Sequence, residues 1–236
     1  MKIVLQIKRR ASAQEEPWWQ EIVYETEDNR ATVASALREI NGRADCVDTQ
    51  GRPVGTIRWE SSCLQKKCGA CAMVIGGKPR LACDAFLREF AKRGRVSVEP
   101  LRKFPVVADL EVDRSVLMDH LKELSLWYEQ EAQGSERQQG TAYEASRCLQ
   151  CGCCLEVCPE FTADGDFYGA AAFVPATRIL TTSRGRQPLE DSYKKHVYAG
   201  CGKSLACRDI CPAGIDTDAM LSRSNAVAVW KRGRRP

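Results

Sequence analysis

Between residues 148 and 159 the chain reads Cys148, Cys151, Cys154 and Cys158-Pro159, a C-x2-C-x2-C-x3-C-P run. Nothing else in the sequence constrains the fold as tightly. A chance match to five fixed positions is negligible, and the spacing is that of thiolates holding an iron–sulfur cubane. In such runs the fourth cysteine ligates a second cluster, so a second run must exist. It is found at Cys201, Cys207 and Cys211-Pro212, where the template leaves Ser204 in place of the second cysteine. Crossed ligation then gives Cys148, Cys151, Cys154 and Cys211 to a complete [4Fe–4S] cluster. Cys158, Cys201 and Cys207 remain for the other. Three thiolates suit a cubane with one corner missing, a [3Fe–4S] cluster; the alternative is a fourth iron held by the Ser204 oxygen or by water. With one thiolate fewer, the site carries less negative charge, which favours a higher reduction potential.

Upstream, Cys63, Cys68 and Cys71 form C-x4-C-x2-C, with Cys83 following after a longer interval. This is the plant-type spacing in which four thiolates hold a [2Fe–2S] cluster. Gly69 and Ala70 are small enough for backbone N–H groups to approach the bridging sulfides. A zinc site of four cysteines is the alternative reading, but such sites usually offer two C-x2-C hooks, and here there is one. Of the thirteen cysteines, Cys46 and Cys153 are left over. Cys46 reads as a small buried or half-buried side chain. Cys153 abuts Cys154, and the x2 spacing from Cys151 favours Cys154 as the ligand.

Disulfides would be the other use for so many cysteines, but Met1 to Gln6 lacks the apolar stretch of an export signal. Arg9-Arg10 is followed by the polar run Ala11 to Glu16, unlike a twin-arginine signal. No stretch approaches the roughly 18 apolar residues of a membrane span; Ala170 to Val174 is the longest tempting one. The expectation is a chain on the reducing, cytosolic side whose cysteines are ligands. A net charge of +4 is too small to argue for nucleic acid. No residue resembles a catalytic base or nucleophile. His120 falls on the apolar face of a predicted helix and reads as a core histidine, whereas His196, in Tyr193-Lys194-Lys195-His196, reads as surface. Clusters alone move single electrons, so the organic chemistry belongs to a partner with a flavin or similar cofactor.

The expected fold class is α+β: a β-grasp plant-type [2Fe–2S] ferredoxin domain over residues 1–105, then an all-α bacterial-ferredoxin-like domain over 106–236. Lys2 to Lys8 and Gln20 to Glu25 alternate as half-buried strands do. Thr32 is placed to cap a helix with Val33, Ala36, Leu37 and Ile40 on one face. Ile57 and Trp59, Ala72 to Ile75, and Val96 to Glu99 read as short strands, and Pro100 to Pro105 as the linker. Beyond it, Arg114 to Tyr128 carries Val116, Leu117, His120, Leu121 and Leu124 at helical spacing. Gln133 to Gly140 reads as a surface loop. Tyr168 to Thr182 reads as a helix that Pro175 must start or kink, and Thr217 to Trp230 as the last helix. The tail from Lys231 to Arg235 holds no acid. It reads as a solvated end or as a basic patch for anionic lipid heads, each basic residue contributing about 1 kcal/mol near the surface.

These residues together resemble the iron–sulfur subunit of succinate dehydrogenase and fumarate reductase over nearly the whole chain. Ser62 to Met73 is similar to the family's first cluster loop, Leu81-Ala82-Cys83 to its closing ligand, and Phe104 to Asp113 to its interdomain segment. Cys148 to Pro159 and Cys201 to Pro212 are similar to its two later runs, including the non-cysteine corner at Ser204. The resemblance implies a flavoprotein partner with FAD facing the first domain, and a cytochrome b-type membrane anchor with a quinone facing the second. It implies relay through [2Fe–2S], [4Fe–4S] and [3Fe–4S] in that order, at the cytoplasmic face of the cell membrane. Ubiquinone-using members have a tryptophan pair soon after the Cys-Pro and a histidine after the first cysteine of the last run. Glu160-Phe161-Thr162 and Gly202 stand there instead, and Cys151 to Glu156 is closer to menaquinone-linked bacterial members. The other reading is an electron-transfer subunit of a different flavoenzyme or of a disulfide-reducing complex. Such relatives often carry two complete runs, which the Ser204 vacancy speaks against.

Overall fold

The structure, a computed structural model, describes residues 1–128, 131–132, 134–183 and 187–231. Most of the basic tail therefore lies outside the described residues. The chain divides into two compact units, Met1–Asp113 and a second from Arg114 onward. The division falls after Asp113 and not at residue 105, because Pro105 opens a small hairpin that belongs to the first unit. Strand β6 (Val106–Ala108) pairs with β7 (Glu111–Val112), and the Asp109 N–H donates to the Arg10 carbonyl at 2.7 Å.

In the first unit β1 (Lys2–Arg9) buries Ile3, Leu5, Ile7 and Arg9 on one face, the period-2 alternation of a half-buried strand. It pairs antiparallel with β2 (Trp18–Glu25) and parallel with β5 (Arg95–Glu99). Next to β5 lies β3 (Ala72–Ile75), and β4 (Lys78–Leu81) closes the sheet, giving the order β2-β1-β5-β3-β4. Gly76 and Gly77 both have positive φ, as a two-residue hairpin turn requires. Pro79 escaped a strand reading from sequence, yet it is tolerated because β4 is an edge. Helix α1 (Val33–Asn41) starts at Thr32, whose Oγ1 accepts the Ser35 N–H while Ser35 Oγ accepts the Thr32 N–H. Ile57 and Trp59 form no strand. Ile57 is buried, but its N–H and C=O are both bonded at 2.8 Å by the side-chain amide of Asn41, so a side chain takes the ladder partner's place.

Arg9 is buried at the end of β1, and all of its donor directions are used. It meets Asp109 Oδ1 at 2.9 Å and Oδ2 at 3.1 Å, Gln20 Oε1 at 2.6 Å, and the carbonyls of Val54 and Thr56. Asp109 also accepts the N–H groups of Arg10 and Arg58. One buried ion pair thus ties β1, the 54–58 segment and the β6–β7 hairpin together.

The regular elements described in the second unit are helical: α2 (Ser115–Glu123), α3 (Glu136–Ser146), α4 (Cys153–Glu156), α5 (Ala170–Thr182), α6 (Gln187–Tyr193) and α7 (Thr217–Ala228). Helix α5 is apolar nearly all round and runs through the core against Leu189, Tyr193, Met220 and Leu221. A side chain at Gly169, just before it, would come within 2.5 Å of Leu155 Cδ2, and its φ of 64° favours glycine. The loop expected over Gln133 to Gly140 is helical from Glu136, Gln133 itself lying outside the described residues. Only Thr141 and Ala145 of α3 are buried, so its sequence shows almost no apolar stripe. His120 is buried as expected, but His196 is not at the surface. The two histidines stack on opposite sides of Tyr168, with ring centroids 3.6 and 4.3 Å from it.

Candidate metal centres

The first cysteine group is built on the β3–β4 hairpin. Cys71 immediately precedes β3, and Cys83 lies in a short 3-10 turn (Ala82–Asp84) immediately after β4; the Ala82 N–H donates to the Cys71 carbonyl at 2.9 Å. Cys63 and Cys68 lie in the preceding loop, where Leu64, Lys66 and Gly69 all have positive φ. That alternation turns successive N–H groups toward the sulfurs. Gln65 and Lys67 donate to Cys63 Sγ at 3.3 and 3.4 Å, and Lys66 donates to Cys83 Sγ at 3.3 Å. These bonds draw the Cys63 thiol down to about 7, while burial pushes Cys71 up to about 12. Cys68 helps to lower the Cys63 thiol and Cys83 acts on Cys71, so the thiols neighbour one another in two pairs.

In the second unit the cysteines border two cavities. One is lined by Cys148, Cys151, Cys154 and Cys211, with Gln150 and Ala171 in its wall. The other is lined by Cys158, Cys201 and Cys207, with Ser204, Glu160 and Gly202. Each cavity therefore draws thiols from both sequence runs. Helix α4 carries Cys154 into the first cavity, and the turn after it carries Cys158 toward the second. Cys153, fully buried, is absent from both walls and neighbours Cys151. Cys153, with nearby backbone N–H groups and the Arg114 charge, draws the Cys151 thiol down to about 7. Burial pushes Cys148 up to about 11 and raises Cys154 and Cys207 as well. All thirteen cysteines are free of disulfides.

The donor set fits iron–sulfur clusters. Burial alone would keep Cys148, Cys154 and Cys207 protonated, and a bound cation is what deprotonates such thiols outright. Among the described residues no three His, Cys, Asp or Glu side chains close around a point tightly enough for a single metal ion. In the second unit the thiols stand around cavities. Sequence reasoning missed the groups that serve the sulfurs without being ligands. Gln65, Lys66 and Lys67 act through backbone N–H groups, which no side-chain pattern reveals. Gln150 Nε2 donates to Cys148 Sγ at 3.1 Å, Thr217 Oγ1 to Cys207 Sγ at 3.4 Å, and Arg114 Nη1 to the Cys151 carbonyl at 3.2 Å. For Gln150 the only available signal was a polar residue between two ligands.

Residues 4–119 match the family described as a 2Fe-2S iron-sulfur cluster binding domain, and residues 144–215 match the 4Fe-4S dicluster domain. The chain is 32% identical over 231 residues to the succinate dehydrogenase iron-sulfur subunit of Bacillus subtilis, covering 93% of this chain and 89% of that one. It is 32% identical over 189 residues to the fumarate reductase iron-sulfur subunit of Mycobacterium tuberculosis, covering 74% and 75% of the two chains. Among solved structures, a chain of the Mycobacterium smegmatis Sdh1 complex in the apo form matches with a TM-score of 0.71 at 20% identity, covering 95% of each. At that identity the likeness is one of fold.

Proposed function

Because the chain belongs to the family of iron–sulfur subunits of succinate dehydrogenase and fumarate reductase, we propose that it relays single electrons between an FAD-containing succinate or fumarate subunit and a quinone at a cytochrome b-type membrane anchor. The first unit is read as a β-grasp ferredoxin domain that would hold [2Fe–2S] through Cys63, Cys68, Cys71 and Cys83. The second is read as an all-α domain binding [4Fe–4S] through Cys148, Cys151, Cys154 and Cys211, and [3Fe–4S] through Cys158, Cys201 and Cys207. When bound, these clusters supply one-electron carriers that a two-electron flavin cannot replace. The chain's own part is to hold the thiolates, to offset their charge with N–H groups, and to wall the centres off with apolar side chains. The observation that carries the ligand set is the grouping of Cys211 with the first run and Cys158 with the second around separate cavities.

Menaquinone is the proposed quinone, and the cytoplasmic face of the cell membrane the proposed location. Among the described residues no helix is long and apolar enough to cross a membrane, and the spanning falls to the anchor. Glu160 and Gly202 occupy the positions that differ from ubiquinone-using members. A Cβ at Gly202 would meet Glu160 Oε1 at 2.7 Å, so the carboxylate leaves no room for a larger side chain without moving.

EPR on membranes holding the complex tests this reading. An oxidised-state [3Fe–4S] signal that succinate bleaches is expected. A signal that succinate leaves untouched would keep the relay but remove the dicarboxylate partner, favouring a different flavoenzyme. A second expectation concerns the vacant corner. Ser204 lines the cavity with Cys158, Cys201 and Cys207, so Ser204→Cys should let that cluster take a fourth iron and lower its potential. An unchanged [3Fe–4S] signal in that variant would count against the ligand set.

A further inference from the structure

Pro175 lies inside α5, so it has no N–H for the carbonyl four residues earlier, that of Ala171. The carbonyl finds another donor. The Gln150 side chain reaches it with Nε2 at 2.9 Å, and the same nitrogen donates to Cys148 Sγ at 3.1 Å. An amide nitrogen carries two N–H groups, so both bonds form together. This arrangement decides which end of the amide faces the sulfur. Flipped, Oε1 would confront two acceptors, the Ala171 carbonyl and a ligating thiolate.

Two features of Gln150 run against stability. Its φ is 50°, left-handed in a residue other than glycine. Its Oε1 is buried and has no hydrogen-bond partner among the described residues. Unfavourable geometry of this kind persists where the surroundings enforce it, and it gathers at functional positions. What it secures here is an amide nitrogen that serves both the freed Ala171 carbonyl and a ligand sulfur.

We propose that Gln150 is a positioning residue that raises the reduction potential of the [4Fe–4S] cluster held by Cys148, Cys151, Cys154 and Cys211, and that Pro175 keeps it in place by freeing the Ala171 carbonyl. Reduction adds negative charge that spreads onto the thiolates, and a donated N–H stabilises the reduced form more than the oxidised one. The inference rests on the proposed ligand set, with Cys148 as a thiolate.

The test is an EPR-monitored redox titration of the full chain in its membrane complex, with thermal unfolding measured alongside. Gln150→Met keeps the bulk and removes the donor; Gln150→Gly removes the donor and relieves the left-handed backbone. Both are expected to move the [4Fe–4S] midpoint to more negative potential and leave the [2Fe–2S] midpoint in place. The accompanying loss of stability is expected to be no larger than one orphaned carbonyl causes, and smaller for Gln150→Gly, whose backbone strain is relieved. Pro175→Ala restores a helical N–H that competes for Ala171, and a smaller shift in the same direction is expected. An unmoved midpoint in both Gln150 variants overturns the proposal, as does loss of the cluster in both, which would make the residue structural. A shift in the Gln150 variants with none in Pro175→Ala overturns the part assigned to Pro175. The ligand set is judged separately, by whether removing Cys211 abolishes the [4Fe–4S] signal.

Discussion

Cys211→Ser is expected to abolish the [4Fe–4S] signal, to stop electron relay through the chain, and to leave the [3Fe–4S] signal of the neighbouring Cys207 in place. The two cysteines are close in sequence, but their thiols face different cavities. Cys211 shares one with Cys148, Cys151 and Cys154, whereas Cys207 shares the other with Cys158 and Cys201. Thiolates are the standard ligands of such cubanes, and serine offers a shorter, harder oxygen in place of sulfur. EPR of the reduced and oxidised variant reads both centres at once. Loss of the [3Fe–4S] signal alone would mean that the runs are not crossed, and the ligand set would have to be redrawn. Cys153 is no ready substitute at the damaged centre, because it is fully buried and does not line the cavity.

The second large effect is expected far from any thiol. Asp109→Asn should destabilise the first unit by about 3–5 kcal/mol, the range for breaking a buried ion pair from one side. Stability of a whole domain is only about 5–15 kcal/mol, so the loss is severe. The physical reason is the Arg9 guanidinium, which is left buried among Gln20, Val54 and Thr56 without its counter-charge. Asparagine is the informative replacement. Asp109 has a φ of 45°, and asparagine tolerates that left-handed backbone, so the charge is removed without added strain. With urea slopes of about 1–3 kcal/mol per molar, the unfolding midpoint of the first unit should fall by at least about 1 M. The double variant Arg9→Met/Asp109→Asn should recover part of the loss, because no uncompensated charge then remains. A single-variant loss under about 1 kcal/mol, the scale of an exposed pair, would show that water reaches the site.

What could be read without coordinates was short-range. The cysteine spacings are properties of neighbouring residues, and so are the period-2 burial of β1 and the cap that Thr32 gives α1. Each places its chemistry within a turn or a strand, where covalent geometry alone sets which side chains can face together. What the local pattern concealed was decided by partners distant in sequence. Ile57 looked like a strand residue until the Asn41 amide took its backbone bonds. The domain boundary moved beyond Pro105 because Asp109 is bound to Arg9, a pairing across most of the first unit. Helix α3 stayed hidden because its burial against α5 needs only two side chains, too few to make a stripe. His196 looked solvated beside two lysines and is instead stacked on Tyr168. The same holds for Pro175, which sequence marks only as a breaker: the use of the carbonyl it frees depends on Gln150 being folded against it. Periodicity and spacing report what the backbone makes adjacent, whereas tertiary structure chooses which distant group satisfies each buried donor, acceptor and charge.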